Sequence, residues 1–319
     1  MDRIVVYMPE LTGALRAEIS AAAAECGCEI GFFDREEEAL AAAAEAEIIL
    51  GQSARLPGAA PRLKWMCTPF AGVDGFLREA RFAAPDALLT CSAGAYGLTI
   101  SEHVILVTLD MMRRAAEYRE TVAQRQWKRG LAIHSIYGSR ITVLGTGDIG
   151  TECALRLRAF HPAVIRGVNR RGGANPAFDS VTPISGLDAL LPETDLLIMA
   201  LPGTAETDGL MDAERLARLK EGAYLVNVGR GSAVDEAALE KELRAGRLGG
   251  AALDVFRHEP LPADSSLWSC PRLLITPHIA GNLTLPATVE KIARQFIDNL
   301  RRFTRGEPMK ALVDKAQGY

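Results

Sequence analysis

Arg230, Glu259 and His278 each stand a few residues past an expected β-strand, in the runs Asn227-Val228-Gly229-Arg230-Gly231, His258-Glu259-Pro260 and Thr276-Pro277-His278-Ile279-Ala280-Gly281. Ligands of parallel sheets bind at such strand ends. A guanidinium holds a carboxylate by two parallel bonds and polarises an adjacent carbonyl, which suits Arg230. An imidazole gives and takes a proton near neutral pH, which suits His278. A carboxylate that orients the ring and favours its charged form suits Glu259. Together they meet the needs of hydride transfer between a carbinol carbon and a nicotinamide. Asp254 ends the strand that Glu259 follows and reads either as a contact to the nicotinamide edge or as a tie for its own loop. The other histidines, His103, His134, His161 and His258, read as structural.

The strongest local signal lies upstream, in Arg140-Ile141-Thr142-Val143-Leu144-Gly145-Thr146-Gly147-Asp148-Ile149-Gly150. This G-x-G-x-x-G ends a strand and opens a helix, the context that dinucleotide binding requires. Gly145 permits the tight turn, Gly147 admits a pyrophosphate, and Gly150 lets helix and strand pack closely. The anion would rest on the first amides of that helix, beside Thr146, Asp148 and Ile149. About 20 residues on, an acidic residue would bond the 2′-hydroxyl of NAD. Here the strand ends in Asn169-Arg170-Arg171, with two guanidinium groups and no carboxylate. Such forks pair with a 2′-phosphate, and each well-placed one is worth roughly 10–100-fold. The expectation is NADP(H) in preference to NAD(H). The competing reading of the two arginines is a solvated loop pair.

Short apolar β-rich runs alternate with helix-favouring stretches, the mark of βα units on a parallel sheet. The first series has strands at 4–8, 29–33, 48–50, 63–67 and 88–91. The second has strands at 141–144, 164–168, 196–201, 224–228, 251–255 and 273–276. Between the series the pattern predicts one long helix from an N-cap at Ser101 to about Trp127, apolar nearly all round in its first half and charged in its second. A final helix spans 286–303, and the tail after Thr304 reads as a loose end. Two α/β lobes follow, with the last helix returning to the first. The expected domains are 1–99 with 287–319, and 100–286.

Length and composition set the limits. The 319 residues allow two domains, and 48% hydrophobic against 24% charged residues is the balance of a globular chain. A formal charge of −4 gives no basic field for nucleic acid or an anionic membrane. No run approaches a membrane span or a signal sequence, so a cytoplasmic enzyme is expected. The six cysteines are scattered without zinc spacing, and reduced thiols with no metal are expected. Asn282-Leu283-Thr284 is a glycosylation sequon by letter only.

Taken in order, Gly145–Gly150, Val226–Gly231, Leu253-Asp254-Val255-Phe256 with Glu259-Pro260-Leu261-Pro262, and Thr276–Gly281 resemble the signature segments of the D-isomer-specific 2-hydroxyacid dehydrogenases, over nearly the whole chain. The resemblance implies a flavodoxin-like substrate domain, a Rossmann-type dinucleotide domain and an active site in the cleft. It implies Arg230, Glu259 and His278 as the catalytic set, Arg230 and His278 also touching substrate and cofactor. The segment Pro69-Phe70-Ala71-Gly72-Val73-Asp74 resembles the family's substrate loop, whose amides at Ala71, Gly72 and Val73 would take the substrate carboxylate. Leu201, Pro202, Thr207, Val228, Gly229, Asp254, Ala280 and Gly281 would line the cofactor. Members are usually homodimers joined through the dinucleotide domain, with Trp127 at the interface or reaching the partner's site. Tyr96 lies in a loop whose part in substrate size does not align securely. Glu259 argues against a formate dehydrogenase, which carries Gln there, and the length argues against a long-form phosphoglycerate dehydrogenase. Asn169-Arg170-Arg171 looks like the NADP-dependent glyoxylate/hydroxypyruvate reductase branch. The alternatives are a non-catalytic NAD(P)-sensing scaffold and an NAD-dependent member such as a short-form phosphoglycerate dehydrogenase.

Overall fold

In a computed structural model, which describes residues 2–315, the chain divides into two units, Met1–Tyr96 with Asn282–Tyr319, and Gly97–Gly281. The junctions fall three and five residues before those read from the sequence, after residue 96 rather than 99 and after 281 rather than 286. The first lies where it does because the long apolar helix starts at Gly97, not at an N-cap on Ser101.

The discontinuous unit runs β1 (Arg3–Tyr7), α1 (Gly13–Glu25), β2 (Glu29–Phe33), α2 (Glu36–Ala43), β3 (Ile48–Gly51), β4 (Trp65–Cys67), α3 (Asp74–Glu79) and β5 (Leu88–Thr90). All pairings are parallel, in the order β2-β1-β3-β4-β5, the flavodoxin-like arrangement. β3 and β4 are buried throughout, as continuous apolar strands must be when helices cover both faces.

The second unit runs α4 (Gly97–Met112), α5 (Ala115–Ala123), β6 (Arg140–Leu144), α6 (Asp148–Leu157), β7 (Val164–Asn169), β8 (Ser180–Pro183), α7 (Leu187–Leu190), β9 (Leu196–Met199), α8 (Ala213–Arg218), β10 (Tyr224–Asn227), α9 (Glu236–Arg244), β11 (Gly250–Leu253) and β12 (Leu273–Ile275). The chain then returns to the first unit with α10 (Pro286–Thr304). The parallel seven-stranded order is β12-β11-β10-β9-β6-β7-β8. It reverses direction at β6, which carries the glycine loop, and that reversal is where doubly wound sheets bind ligands.

Four sequence expectations are corrected. The helix expected over 101–127 is two helices, because Arg114 turns left-handed at φ 54 between α4 and α5. Ser101 does not cap it; its buried hydroxyl donates back to Leu98 O at 2.9 Å. The apolar half is not buried all round either, since Leu106 is 64% exposed. The tail is docked: Val313 N donates to Leu89 O at 2.8 Å, Leu312 bridges Thr90, and Asn299 on α10 clasps Lys310 through both its amide groups. β8 was not foreseen; its Ser180-Val181-Thr182-Pro183 carries little apolar signal.

α10 belongs with the first unit because its aromatic stripe closes that core. Trp65 stacks on Phe296 at 5.1 Å and lies 5.6 Å from Phe303, while its indole N–H donates to Thr90 Oγ1 at 2.9 Å. A buried Trp needs such a partner for its one polar atom.

Candidate active site

In the second unit, the parallel register aligns Asn227 with Leu253 and Leu253 with Ile275, so the chain leaves β10, β11 and β12 on one edge of the sheet. Arg230, Asp254 and His278 all follow within three residues of those ends, on strands spaced about 4.8 Å apart.

His278 and Glu259 form a pair: imidazole Nδ1 lies 2.6 Å from Glu259 Oε2. The other carboxylate oxygen accepts the Phe256 N–H at 2.8 Å, so Glu259 is held while it holds the ring. With Nδ1 committed to the carboxylate, Nε2 is the nitrogen that can exchange a proton with a substrate oxygen. The His278 side chain is 51% exposed, accessible to solutes. Its backbone is left-handed at φ 54, held by hydrogen bonds from its N–H to Asp254 O at 2.9 Å and Thr276 O at 3.0 Å. A histidine kept in so sparsely populated a conformation marks a position over-determined by its surroundings.

Asp254 supplies that determination. The residue is only 3% exposed, yet both carboxylate oxygens are used: Oδ1 accepts Thr276 Oγ1–H at 2.6 Å and Ile279 N–H at 2.9 Å, and Oδ2 accepts Ala280 N–H at 2.9 Å. Of its two sequence readings, the structure displays the loop-tying one. His103 joins from α4, with Nε2 3.3 Å from Thr276 Oγ1 and 4.0 Å from Asp254 Oδ1. Burial, opposed by the Asp254 carboxylate, holds this imidazole below its ordinary pKa.

Arg230 is set by Asn227, whose buried side chain accepts Gly229 N–H at 3.1 Å and donates to Arg230 O at 2.9 Å. The arginine stem lies against Gly203, where an added Cβ would meet Arg230 Cγ at 3.1 Å. Its Nη1 donates to Gly229 O at 2.7 Å. Gly229 approaches the Leu201 backbone so closely that a Cβ would lie 2.6 Å from Leu201 O. Thr207 ties the turn after β9 by donating to Pro202 O at 2.7 Å and accepting from Thr204 N–H at 2.9 Å.

The three loop glycines divide their labour as a dinucleotide loop demands. Gly145 has φ 98, and a Cβ there would strike Ala200 O at 2.5 Å. One on Gly150 would fall 1.9 Å from Gly145 O. One on Gly147 would meet nothing within 4 Å, so the face toward the α6 N-terminus is open, as a pyrophosphate requires. Asp148 turns its carboxylate to Gly97 N–H at 2.6 Å, and Val228 N–H bonds Met199 O at 3.0 Å. Asn169 braces the neighbouring loop: its Oδ1 accepts three backbone N–H groups, from Arg171, Gly172 and Gly173, while Nδ2 donates to Thr146 Oγ1 at 2.9 Å. Arg170 Nε lies 3.3 Å from Glu206 Oε2. Arg171 is exposed, Ile149 half-buried and Ala280 buried, and Gly281 closes the unit. These residues fit a bound dinucleotide.

In the other unit, Ala71 is half-buried, Gly72 exposed and Val73 buried at the start of α3. The stretch before them is tethered by Tyr96, whose hydroxyl donates to Pro69 O at 2.8 Å, and by Ser92, whose N–H and hydroxyl reach Phe70 O and Thr68 O at 2.8 and 3.0 Å. Burial pushes the Tyr96 phenol well above its usual pKa. Sequence reasoning gave no role to Asn227, Thr276 or Glu206, and it left His103 among the structural histidines, where the structure keeps it. Only Asn227, an Asn before a Val-Gly turn at a strand end, carried a readable signal.

Four similarities place the chain among known proteins. The family model for the NAD binding domain of D-isomer specific 2-hydroxyacid dehydrogenases matches residues 105–280. Glyoxylate/hydroxypyruvate reductase A of Salmonella newport is 35% identical over 266 residues, 81% of this chain and 82% of that protein. A D-isomer specific 2-hydroxyacid dehydrogenase family protein from Aeromonas salmonicida superposes with a TM-score of 0.86 at 35% identity, covering 98% of this chain and 99% of that one. The NADPH-dependent glyoxylate/hydroxypyruvate reductase of Sinorhizobium meliloti, solved with NADP and sulfate, gives 0.80 at 27% identity and full coverage of both chains at 100%. The chain belongs to the D-isomer specific 2-hydroxyacid dehydrogenase family. Within it, the glyoxylate/hydroxypyruvate reductase branch is the one it resembles, and it is an oxidoreductase of the nicotinamide-dependent kind.

Proposed function

We propose that this protein reduces a small 2-keto acid, of glyoxylate or hydroxypyruvate type, to the D-2-hydroxy acid with NADPH. The observation that carries this reading is the His278–Glu259 pair at 2.6 Å, on the same sheet edge as Arg230 and in the same unit as the glycine loop. Bound NADPH supplies the hydride. His278 Nε2 delivers the proton to the substrate oxygen, and Glu259 stabilises the imidazolium. Arg230 holds the carboxylate and polarises the carbonyl. The amides of Ala71, Gly72 and Val73 take part in holding the carboxylate. Arg170 and Arg171 favour the 2′-phosphate. The relatives named above, one of them solved with NADP, support this choice of cofactor and substrate class.

The protein acts as a homodimer through the dinucleotide unit and works in the cytoplasm. Support for the dimer comes from apolar side chains left outside on one stretch, with Trp127 86%, Tyr137 72%, Val122 71% and Ile133 48% exposed. A cavity of about 560 Å³ between Met111, Arg114, His134, Tyr224 and Arg272 adjoins the same stretch. Among the described residues no helix is long and apolar enough to cross a membrane.

The test is a panel of glyoxylate, hydroxypyruvate, pyruvate and longer 2-keto acids, with loss of reduced-nicotinamide absorbance followed for NADPH and NADH. Turnover of the two smallest acids with NADPH is expected. Binding of NADPH without turnover of any acid would replace this reading with that of a nucleotide-sensing scaffold.

A further inference from the structure

The loop after β7 and the turn after β9 meet in the ion pair Arg170 Nε to Glu206 Oε2, at 3.3 Å. These strands flank β6 on either side, so the pair stands beside the glycine loop at the reversal of the sheet. Both partners project from braced backbone. Asn169 Oδ1 accepts from Arg171, Gly172 and Gly173 at 3.1, 2.7 and 3.2 Å, which fixes the Arg170 loop. Thr207 Oγ1, bonded to Pro202 O and Thr204 N–H, fixes the turn that presents Glu206. With side chains 51% and 71% exposed, the pair contributes little to stability. Its effect falls instead on whatever anion Arg170 receives.

We propose that Glu206 is a specificity-determining residue that competes with the cofactor 2′-phosphate for Arg170 and so moderates the preference for NADP(H) over NAD(H). The inference rests on the NADP(H) reading above. A 2′-phosphate is close to a dianion at neutral pH, so it must both share the guanidinium and stand near a fixed carboxylate. NAD(H) carries only a neutral 2′-hydroxyl there, which suffers neither cost and can donate to the same carboxylate. Glu206 therefore narrows the gap between the cofactors from the NADP(H) side. It also speeds release of oxidised NADP, since a carboxylate waits to re-pair with Arg170.

The test is calorimetric titration of the full chain with NADP⁺ and with NAD⁺, no turnover being needed. Glu206→Gln is expected to tighten NADP⁺ about three- to tenfold and to leave NAD⁺ within about twofold, with the gain shrinking as salt is raised. In an Arg170→Gln background the same substitution is expected to give less than about half that gain, because the competition acts through the guanidinium. Asp208→Asn removes an equal charge from the same turn, but that carboxylate faces Arg257 at 3.2 Å, so no selective gain is expected. An unchanged ratio of the two affinities in Glu206→Gln, or an equal gain in Asp208→Asn, overturns the proposal. A wild-type chain that binds NAD⁺ more tightly than NADP⁺ overturns the cofactor reading instead. The shift in that ratio from wild type to Glu206→Gln still decides the role of Glu206.

Discussion

At the scale of single residues, the proposed mechanism separates groups that would touch substrate from groups that aim them. His278→Ala removes the proposed proton carrier but nothing from the glycine loop. Turnover should fall about 10²–10⁴-fold while calorimetry still detects the cofactor with near wild-type affinity. Arg230→Lys should raise KM for the keto acid well above any change in kcat, because a point charge cannot replace a planar fork. Asp254 holds the loop that carries His278: in Asp254→Asn one oxygen becomes an NH2 group facing a backbone or hydroxyl donor. An orphaned buried donor costs about 1–3 kcal/mol, so the melting temperature should fall together with kcat. The strand-end places of Arg230 and His278 and the nearness of Glu259 to the imidazole were legible from type and spacing, since the runs that carry them follow strands behind a dinucleotide loop. For Asp254 the tie to its own loop was one of two readings, but its partners, two backbone amides and a threonine hydroxyl, are ones that no side-chain pattern announces.

Elements were read well where apolar periodicity was strong and poorly where one backbone angle decided the outcome. The strands at residues 29–33 and 141–144 stand at or within a residue of their sequence positions, because their apolar runs are bounded by turn residues. The break at Arg114 left no mark, since a left-handed arginine between two helical patterns looks like any other arginine. The docking of residues 311–313 on β5 escaped for a related reason: a two-residue bridge has no period. One consequence of the α4 packing can be measured. His103 has its folded pKa lowered, so the native state resists its protonation while the unfolded chain accepts the proton near pH 6.5. Its contribution is complete above that pH and declines below it. Melting temperature should therefore drop less steeply between about pH 6.5 and 5 in His103→Gln than in the wild type.

For the whole molecule, the apolar side chains along residues 122–137 predict association. Trp127→Glu should shift light-scattering mass toward the single chain, while the wild type elutes as two; equal masses for both would remove the dimer proposal. The exposure of Trp127 in one chain agrees with the sequence reading that set it at an interface or against the partner's site, within a largely charged stretch. A different lesson comes from where the chain is divided. Every group assigned to proton transfer, together with the glycine loop, lies within 97–281, whereas the turn at Ala71–Val73 belongs to the discontinuous unit. Under the proposed function, the turn that helps hold the acid and the groups that move the proton are thus written on separate stretches of gene. A chimera that takes its outer segments from a relative with other tastes should inherit a new menu while keeping the same engine.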